Sequence, residues 1–188
     1  MVSAPHPLAE RLIKRLQSKP QSRILDFGAG SGRNGDALRG TGFTVVTIAD
    51  ADVASRAPFA GITDRFSAAI STHGLLHGRR STIDANLSSI ATLLDDGGLL
   101  YATFGSTRDA RFGRGLRLDA WTYAPIDGDE RGVAHTFFDL ERLRAFLESH
   151  LEVESLDEHG VDDVAGRWAH GRTPLDGAVH WFAIGRKR

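Results

Sequence analysis

Cysteine is absent from this 188-residue chain, methionine occurs once, and no apolar run approaches the length needed to cross a bilayer. Without cysteine there is no disulfide, no thiol nucleophile and no thiolate metal site, and the sequence singles out no other metal-ligand set. An excess of either charge is missing too: 23 Lys and Arg face 24 Asp and Glu, for a formal net charge of -1. Nonspecific attraction to nucleic acid or to an anionic membrane is therefore not expected, since both depend on a basic field. The opening from Met1 to Pro7 lacks the charged-then-apolar order of a secretory signal, which makes the cytoplasm the expected location. No repeat, linker or low-complexity tract breaks the chain, and its length suits a single domain over residues 1–188 with a continuous core.

Glycine gathers in one informative place. Ile24 and Leu25 lead into Asp26 and then into Gly28, Gly30 and Gly32, which alternate with Ala29 and Ser31 before Arg33 and Asn34. This reads as a buried strand turning sharply into a helix. Missing Cβ atoms let a ligand press against the main chain, and the first free amides of the helix suit a ligand carboxylate or phosphate. Asp26 is expected beside that ligand, at the carboxyl end of the strand. Hydride chemistry is disfavoured, because a dinucleotide fold wants Gly-x-Gly-x-x-Gly, whereas here the third glycine comes one residue early and Arg33 takes its place.

Ile24-Leu25-Asp26-Phe27-Gly28-Ala29-Gly30-Ser31-Gly32-Arg33-Asn34 resembles the first motif of the class I S-adenosylmethionine-dependent methyltransferases. The resemblance implies that Asp26, Gly28, Ala29, Gly30, Gly32, Arg33 and Asn34 hold the methionine part of S-adenosylmethionine, with S-adenosylhomocysteine as product. After a helix from Asn34 to Arg39, a second strand from Phe43 to Ile48 should end in an acid that accepts both ribose hydroxyls. Asp50 lies 22 positions after Gly28 (50 − 28), close to the roughly 20 of the sequence rule. The family places its acid about where Ala49 stands, so this chain departs by one position, with Asp52 in reserve. Ala51 to Arg65 is too short for the helix and third strand that the family inserts next, and the adenine side is expected to be simplified or more open.

Phe66 to Thr72 is small and continuously apolar enough for a strand buried on both faces. The loop that follows, His73-Gly74-Leu75-Leu76-His77-Gly78, is similar in form to the family's loop facing the transferable methyl. That places Thr72 and His73 against the cofactor and makes His77 a candidate general base, imidazole being the side chain that ordinarily titrates near neutrality. A helix from Thr82 to Leu94, capped by Ser81 or Thr82, should stop at Asp95-Asp96-Gly97-Gly98 before a strand from Leu99 to Phe104. The loop from Gly105 to Arg117 is long, polar and glycine-rich, and Arg111, with Arg108 beside it, is expected to meet an anionic substrate group through a charge-assisted fork. Phe112 and Tyr123 are candidate pocket walls, and His135, in the aromatic stretch from Val133 to Phe138, is a second candidate base. Asp139 should cap a helix that buries Leu143, Phe146 and Leu147. Leu151–Leu156 and Ala178–Ile184 should pair as an antiparallel hairpin, with an irregular stretch between them that includes Gly166-Arg167-Trp168-Ala169-His170.

The expected architecture is α/β and Rossmann-like: a doubly wound, mostly parallel sheet of six or seven strands, helices on both faces and a C-terminal antiparallel hairpin. It comprises an N-terminal helix (1–19), a cofactor-binding half (23–104) and substrate-side loops with the hairpin (105–188). The segment from Thr103 to Asp139 also looks, more loosely, like small bacterial methyltransferases of the thiol- and tellurite-modifying group. The implied reaction is in-line methyl transfer from S-adenosylmethionine to a small-molecule acceptor, by a monomer or homodimer. Family members that methylate base nitrogens carry an Asn/Asp-Pro-Pro-aromatic run where this chain has Ser71-Thr72-His73-Gly74-Leu75, so no nucleic-acid substrate is expected. The alternative is a protein that binds S-adenosylmethionine or another nucleoside without turnover, which the shortened adenine side keeps open.

Overall fold

A computed structural model describes residues 4–53, 57–128, 130–160 and 177–188, with the side chains of residues 51 and 52 left out of that description. The stretch Gly166-Arg167-Trp168-Ala169-His170 and the reserve acid Asp52 therefore lie outside the described residues or side chains. In chain order the elements are α1 (Pro7–Leu16), β1 (Arg23–Phe27), α2 (Arg33–Gly40), β2 (Thr44–Ile48), α3 (Asp50–Val53), β3 (Phe66–Ser71), α4 (Arg80–Leu93), β4 (Leu94–Ser106), β5 (Leu116–Arg117), β6 (Thr122–Ala124), β7 (His135–Phe138), α5 (Leu140–Glu148), β8 (Glu152–Gly160) and β9 (Val179–Arg186).

The strands alternate, and the alternation makes two cores. Ile24, Ala68, Ile70, Leu99 and Tyr101 face α1 and α2, whose Leu8, Leu12, Leu16 and Leu38 cover them. Their neighbours Leu25, Phe27, Ala69, Leu100, Ala102 and Phe104 face Ile83, Leu87 and Ile90 of α4 and Leu143, Phe146 and Leu147 of α5. Successive side chains of a strand point to opposite faces, so apolar strands buried on both sides need helices on both. Leu87 is fully buried in this second core. Leu87→Ala is expected to cost about 2–5 kcal/mol, read as a lower urea midpoint with an unchanged slope; an unshifted midpoint would show that α4 does not seal this face.

β1 pairs in parallel with β2 and with β3, and β3 in parallel with β4. β9 runs antiparallel to β4, and β8 antiparallel to β9, giving the expected closing hairpin. Seven strands follow the path β2-β1-β3-β4-β7-β6-β5, and the hairpin joins it at β4. Among the described residues β2 has no neighbour beyond β1, and no strand lies between β2 and β3. The short segment thus leaves out the family's third strand. Among the described residues, no helix is long and apolar enough to cross a membrane.

Two local expectations are corrected. Ser81 and Thr82 do not cap α4; the helix starts at Arg80 behind an extended Arg79 with no side-chain cap bond. Asp95-Asp96-Gly97-Gly98 does not separate helix from strand either, because β4 begins at Leu94. Leu94 pairs with Phe66 and Leu99 with Ala68, and the register shift between them takes up the acids and glycines as a bulge. Pairing with β3 overrides the local turn signal.

Because β1 to β4 run parallel, the loops after Phe27, Ile48, Ser71 and Ser106 all leave the same edge of the sheet. Ligands of open α/β sheets lie in the crevice at that edge.

Candidate active site

The loop after β1 is held by the ends of its neighbours. The Gly28 and Ala29 amides donate to the Ile48 carbonyl at 3.0 and 3.2 Å, tying the turn to the end of β2. Gly28 has φ +70°, and a Cβ there would fall 2.5 Å from the Cα of Gly74, so the loops after β1 and β3 touch at two glycines. Beyond this contact opens a polar cleft of about 260 Å³ lined by Gly28, Ala29, Gly30, Ser31, Arg33, Asn34, Asp50, Thr72, His73 and His77. The Asp50 carboxylate reaches across it and accepts the Gly30 amide at 3.2 Å. Asn34 fixes the far wall: its Nδ2 donates to Thr72 Oγ1 at 3.0 Å, and its Oδ1 accepts the His6 amide at 2.9 Å.

Two residues expected in this cleft are not on its surface. Gly32 serves instead as the left-handed N-cap of α2. Asp26 points away beneath α2, where its carboxylate meets the Gly35 backbone and the charge of Arg39. Alternation puts position 26 on the α1/α2 face of the sheet, so this acid lies against the helix and is not in the cleft lining. Burial pushes its pKa up to about 6, against the partly offsetting pull of Arg39 and the Gly35 bond. A folded-state pKa above the ordinary value means that the native state holds more protons than the unfolded chain between about pH 4 and pH 6. This group's contribution therefore declines as pH rises through that window and is level above it. Asp26→Asn is expected to flatten the decline, measured by urea unfolding from pH 4 to pH 7; parallel curves for the two proteins would contradict it.

A second cavity, of about 440 Å³, opens beside the first and is lined by Ala110, Arg111, Arg114, Gly115, Tyr123, Pro125, Ile126, Asp127, His135 and Phe137. Phe112, expected as a wall, stands behind the lining and packs its ring against Tyr123, Trp121 and Phe137. Arg111 is in the lining, but its guanidinium is already engaged. It grips Asp109 through Nε and Nη2 at 2.8 Å each, reaches Glu130 Oε2 at 3.3 Å, and donates from Nη2 to His180 Nε2 at 2.9 Å. Burial alone would raise the Asp109 carboxyl, yet its bonds with Arg111 and with the Val179 amide outweigh this and hold it below the ordinary range. Burial and the Arg111 charge push His180 down to about 3, so that ring is neutral and accepts. The expected free fork for an anionic substrate is thus spent inside the protein. Arg108 pairs with Glu158 at 2.6 Å instead.

The two cavities meet at a cluster that sequence reading only half found. His77 lines the first and His135 the second, and their backbones form an isolated antiparallel bridge flanked by the Gly78 amide bonded to the Ala134 carbonyl at 2.7 Å. The rings stand edge to face, 4.9 Å between centroids. Glu130 sits between them, its Oε1 3.5 Å from His77 Nε2 and its Oε2 3.1 Å from His135 Nε2. His135 is almost fully buried and donates from Nδ1 to the Val133 carbonyl at 2.8 Å. Asp127 and Glu130 lie three residues apart in the sequence, but nothing in that spacing tells that Glu130 folds inward while Asp127 stays exposed.

A polar glycine-lined cleft with an acid at the end of the second strand, set beside an aromatic pocket, narrows the family. A sequence profile described as a methyltransferase domain matches residues 4–155. This chain belongs to the class I S-adenosylmethionine-dependent methyltransferases. The methyltransferase resembles the 1,6-didemethyltoxoflavin-N1-methyltransferase of Burkholderia thailandensis, solved with 1,6-didemethyltoxoflavin and S-adenosylhomocysteine, at TM-score 0.66 and 18% identity over 96% of this chain and 76% of that one. It is similar to an S-adenosylmethionine-dependent methyltransferase of Methanosarcina mazei at TM-score 0.67 and 15% identity, over 93% and 96% of the two chains. It also resembles the CcbJ methyltransferase of Streptomyces caelestis at TM-score 0.60 and 13% identity, over 98% and 90%. At these identities the likeness is one of fold. No curated protein matches the sequence significantly.

Proposed function

We propose that the enzyme transfers the methyl group of S-adenosylmethionine to a small organic acceptor bound in the aromatic pocket. The observation that carries this is the junction: the cofactor-side cleft and the second cavity are separate in their linings yet meet at His77, Glu130 and His135. The residues of the cleft suit the cofactor. A Cβ at Gly30 would lie 3.3 Å from Asp50 Oδ2, inside the space between loop and acid, and Asp50 stands where a ribose acid belongs. Gly28, Ala29, Gly30, Arg33 and Asn34 would hold the amino-acid end, Asp50 the ribose, and Thr72 and His73 the wall nearest the sulfur. When bound, the cofactor supplies a sulfonium methyl with a good leaving group, which needs little from the protein beyond alignment and exclusion of water.

Acceptor recognition falls to the second cavity. Tyr123, Phe137 and Pro125 offer apolar and aromatic surface, and Arg111, Asp127 and His135 offer a few polar groups, the balance usual for a small-molecule site. Phe112 contributes by stiffening Tyr123 and Phe137 from behind. His77 and His135 are assigned to activation of the acceptor. An absence of net positive charge supports a small molecule over a nucleic acid.

Titration calorimetry with S-adenosylmethionine and with S-adenosylhomocysteine tests the reading. Micromolar binding of either, followed by methyl transfer to members of a thiol, phenol and aromatic-amine panel, is the expected result. Binding with no transfer to any member of a broad panel would favour a protein that holds the cofactor without turnover, and no binding at all would refute the cofactor assignment.

A further inference from the structure

We infer that His77, Glu130 and His135 form a binding site for one first-row divalent cation of zinc type, at the junction of the two cavities. The inference deepens the reading above and rests on it for its chemical purpose. Donor atoms of the three side chains all lie within 4.8 Å of one another. The carboxylate is 3.5 Å from one imidazole nitrogen and 3.1 Å from the other. Donors about 2.1 Å from a tetrahedral ion stand roughly 3.4 Å apart, and both carboxylate–imidazole contacts, one through each oxygen, are close to that separation.

The hydrogen bonding points the same way. Nε2 of His77 and Nε2 of His135 are both buried and make no hydrogen bond, although a carboxylate stands within reach of each. His135 spends its Nδ1–H on the Val133 carbonyl, so the lone pair of the neutral ring sits on Nε2 and faces Glu130. Two electron-rich groups aimed at each other are stabilised by a cation between them. A ring N–H held by a backbone carbonyl is also the outer contact that orients histidines toward a metal.

Donor type narrows the ion. Asp109 and Glu130 both pair with Arg111, so the cluster is built around carboxylates and imidazoles. Two imidazoles and a carboxylate suit zinc and its neighbours, whereas magnesium wants an oxygen shell. Three protein ligands leave a fourth position open, the pattern of catalytic and not of structural sites. His77 lines the cofactor-side cleft and His135 the second cavity, and that position is assigned to the acceptor heteroatom. Coordination lowers the pKa of its O–H, N–H or S–H, and the proton leaves to solvent. The freed lone pair then forms the bond to the methyl carbon as the carbon–sulfur bond of the cofactor breaks, releasing S-adenosylhomocysteine with the oxidation state of the ion unchanged.

The test uses the full-length, untagged protein, stripped with EDTA and titrated with zinc chloride and with magnesium chloride by calorimetry. One zinc ion per chain is expected, with no comparable magnesium binding. Glu130→Gln and His77→Gln, both at partly exposed positions, should each weaken zinc binding by about tenfold or more. Cobalt(II) added to the stripped wild type supplies a readout that needs no variant, since tetrahedral coordination gives strong visible absorption. No zinc binding, or equal binding by wild type and both variants, would overturn the site. Methyl transfer that persists in EDTA alongside such a result leaves the cofactor reading standing. Stoichiometric zinc without any affinity for S-adenosylhomocysteine supports the metal site and removes the methyltransfer reading.

Discussion

Gly30→Val is expected to abolish cofactor binding while leaving the sheet folded. Gly30 has φ +53°, and its amide bonds the Asp50 carboxylate at 3.2 Å. A residue with a Cβ in that left-handed region is strained by about 1–2 kcal/mol, which is roughly a factor of ten in affinity if binding requires the conformation. The steric effect comes on top of this. The new Cβ would press against Asp50 Oδ2 at 3.3 Å, and the two γ-methyls would occupy the gap between loop and acid. Residue 30 lies outside both apolar cores, so the unfolding midpoint should change little. Calorimetry with S-adenosylhomocysteine decides the matter: wild-type affinity in a folded variant would show that the glycine loop is a plain turn.

His77→Ala is expected to reduce kcat by about 10²–10⁴-fold, the usual weight of a group that activates the acceptor for transfer. Affinity for S-adenosylhomocysteine should move by only a few-fold, because the amides of the glycine loop, Asp50 and Asn34 remain. The backbone bridge between positions 77 and 135 does not need the imidazole, and the side chain is one-quarter exposed, so the loop should keep its course. Loss of cofactor affinity in step with kcat would place His77 in cofactor binding instead. An unaltered rate would remove it from the site. The split between kcat and affinity separates both of these from simple misfolding.

Three levels of legibility can be told apart by the distances over which the signals act. The glycine turn, the acid after β2 and the shortened third-strand segment were all readable, because each is written in fewer than about 25 consecutive residues, and each strand of the closing hairpin was readable from its own alternation. Arg33 and Asn34, named on the same local grounds, line the cleft. Asp26 was misplaced although it belongs to that motif. Its spacing was read as proximity to the ligand, when strand alternation sends its side chain under α2. Arg111 was recognised as a lining residue, but besides Asp109, two positions back, its partners are Glu130 and His180, 19 and 69 positions away. A local reading takes the guanidinium as available; the fold shows it spent.

The junction between the two cavities lies beyond any local pattern. His77 belongs to the loop after β3 and His135 to the start of β7, and they meet only because Gly78 and Ala134 bond across 56 residues (134 − 78). Glu130 enters through a turn whose other described acid, Asp127, stays exposed. The sequence by itself determined that this is a parallel α/β protein with a nucleoside-type ligand edge, since hydrophobic period, glycine conformation and strand-end acids act over a few residues. Tertiary structure alone decided which charges are satisfied internally and which three side chains converge between the cavities. The physical reason is that ion pairing, burial and ligand geometry depend on distances between segments, which chain spacing does not encode.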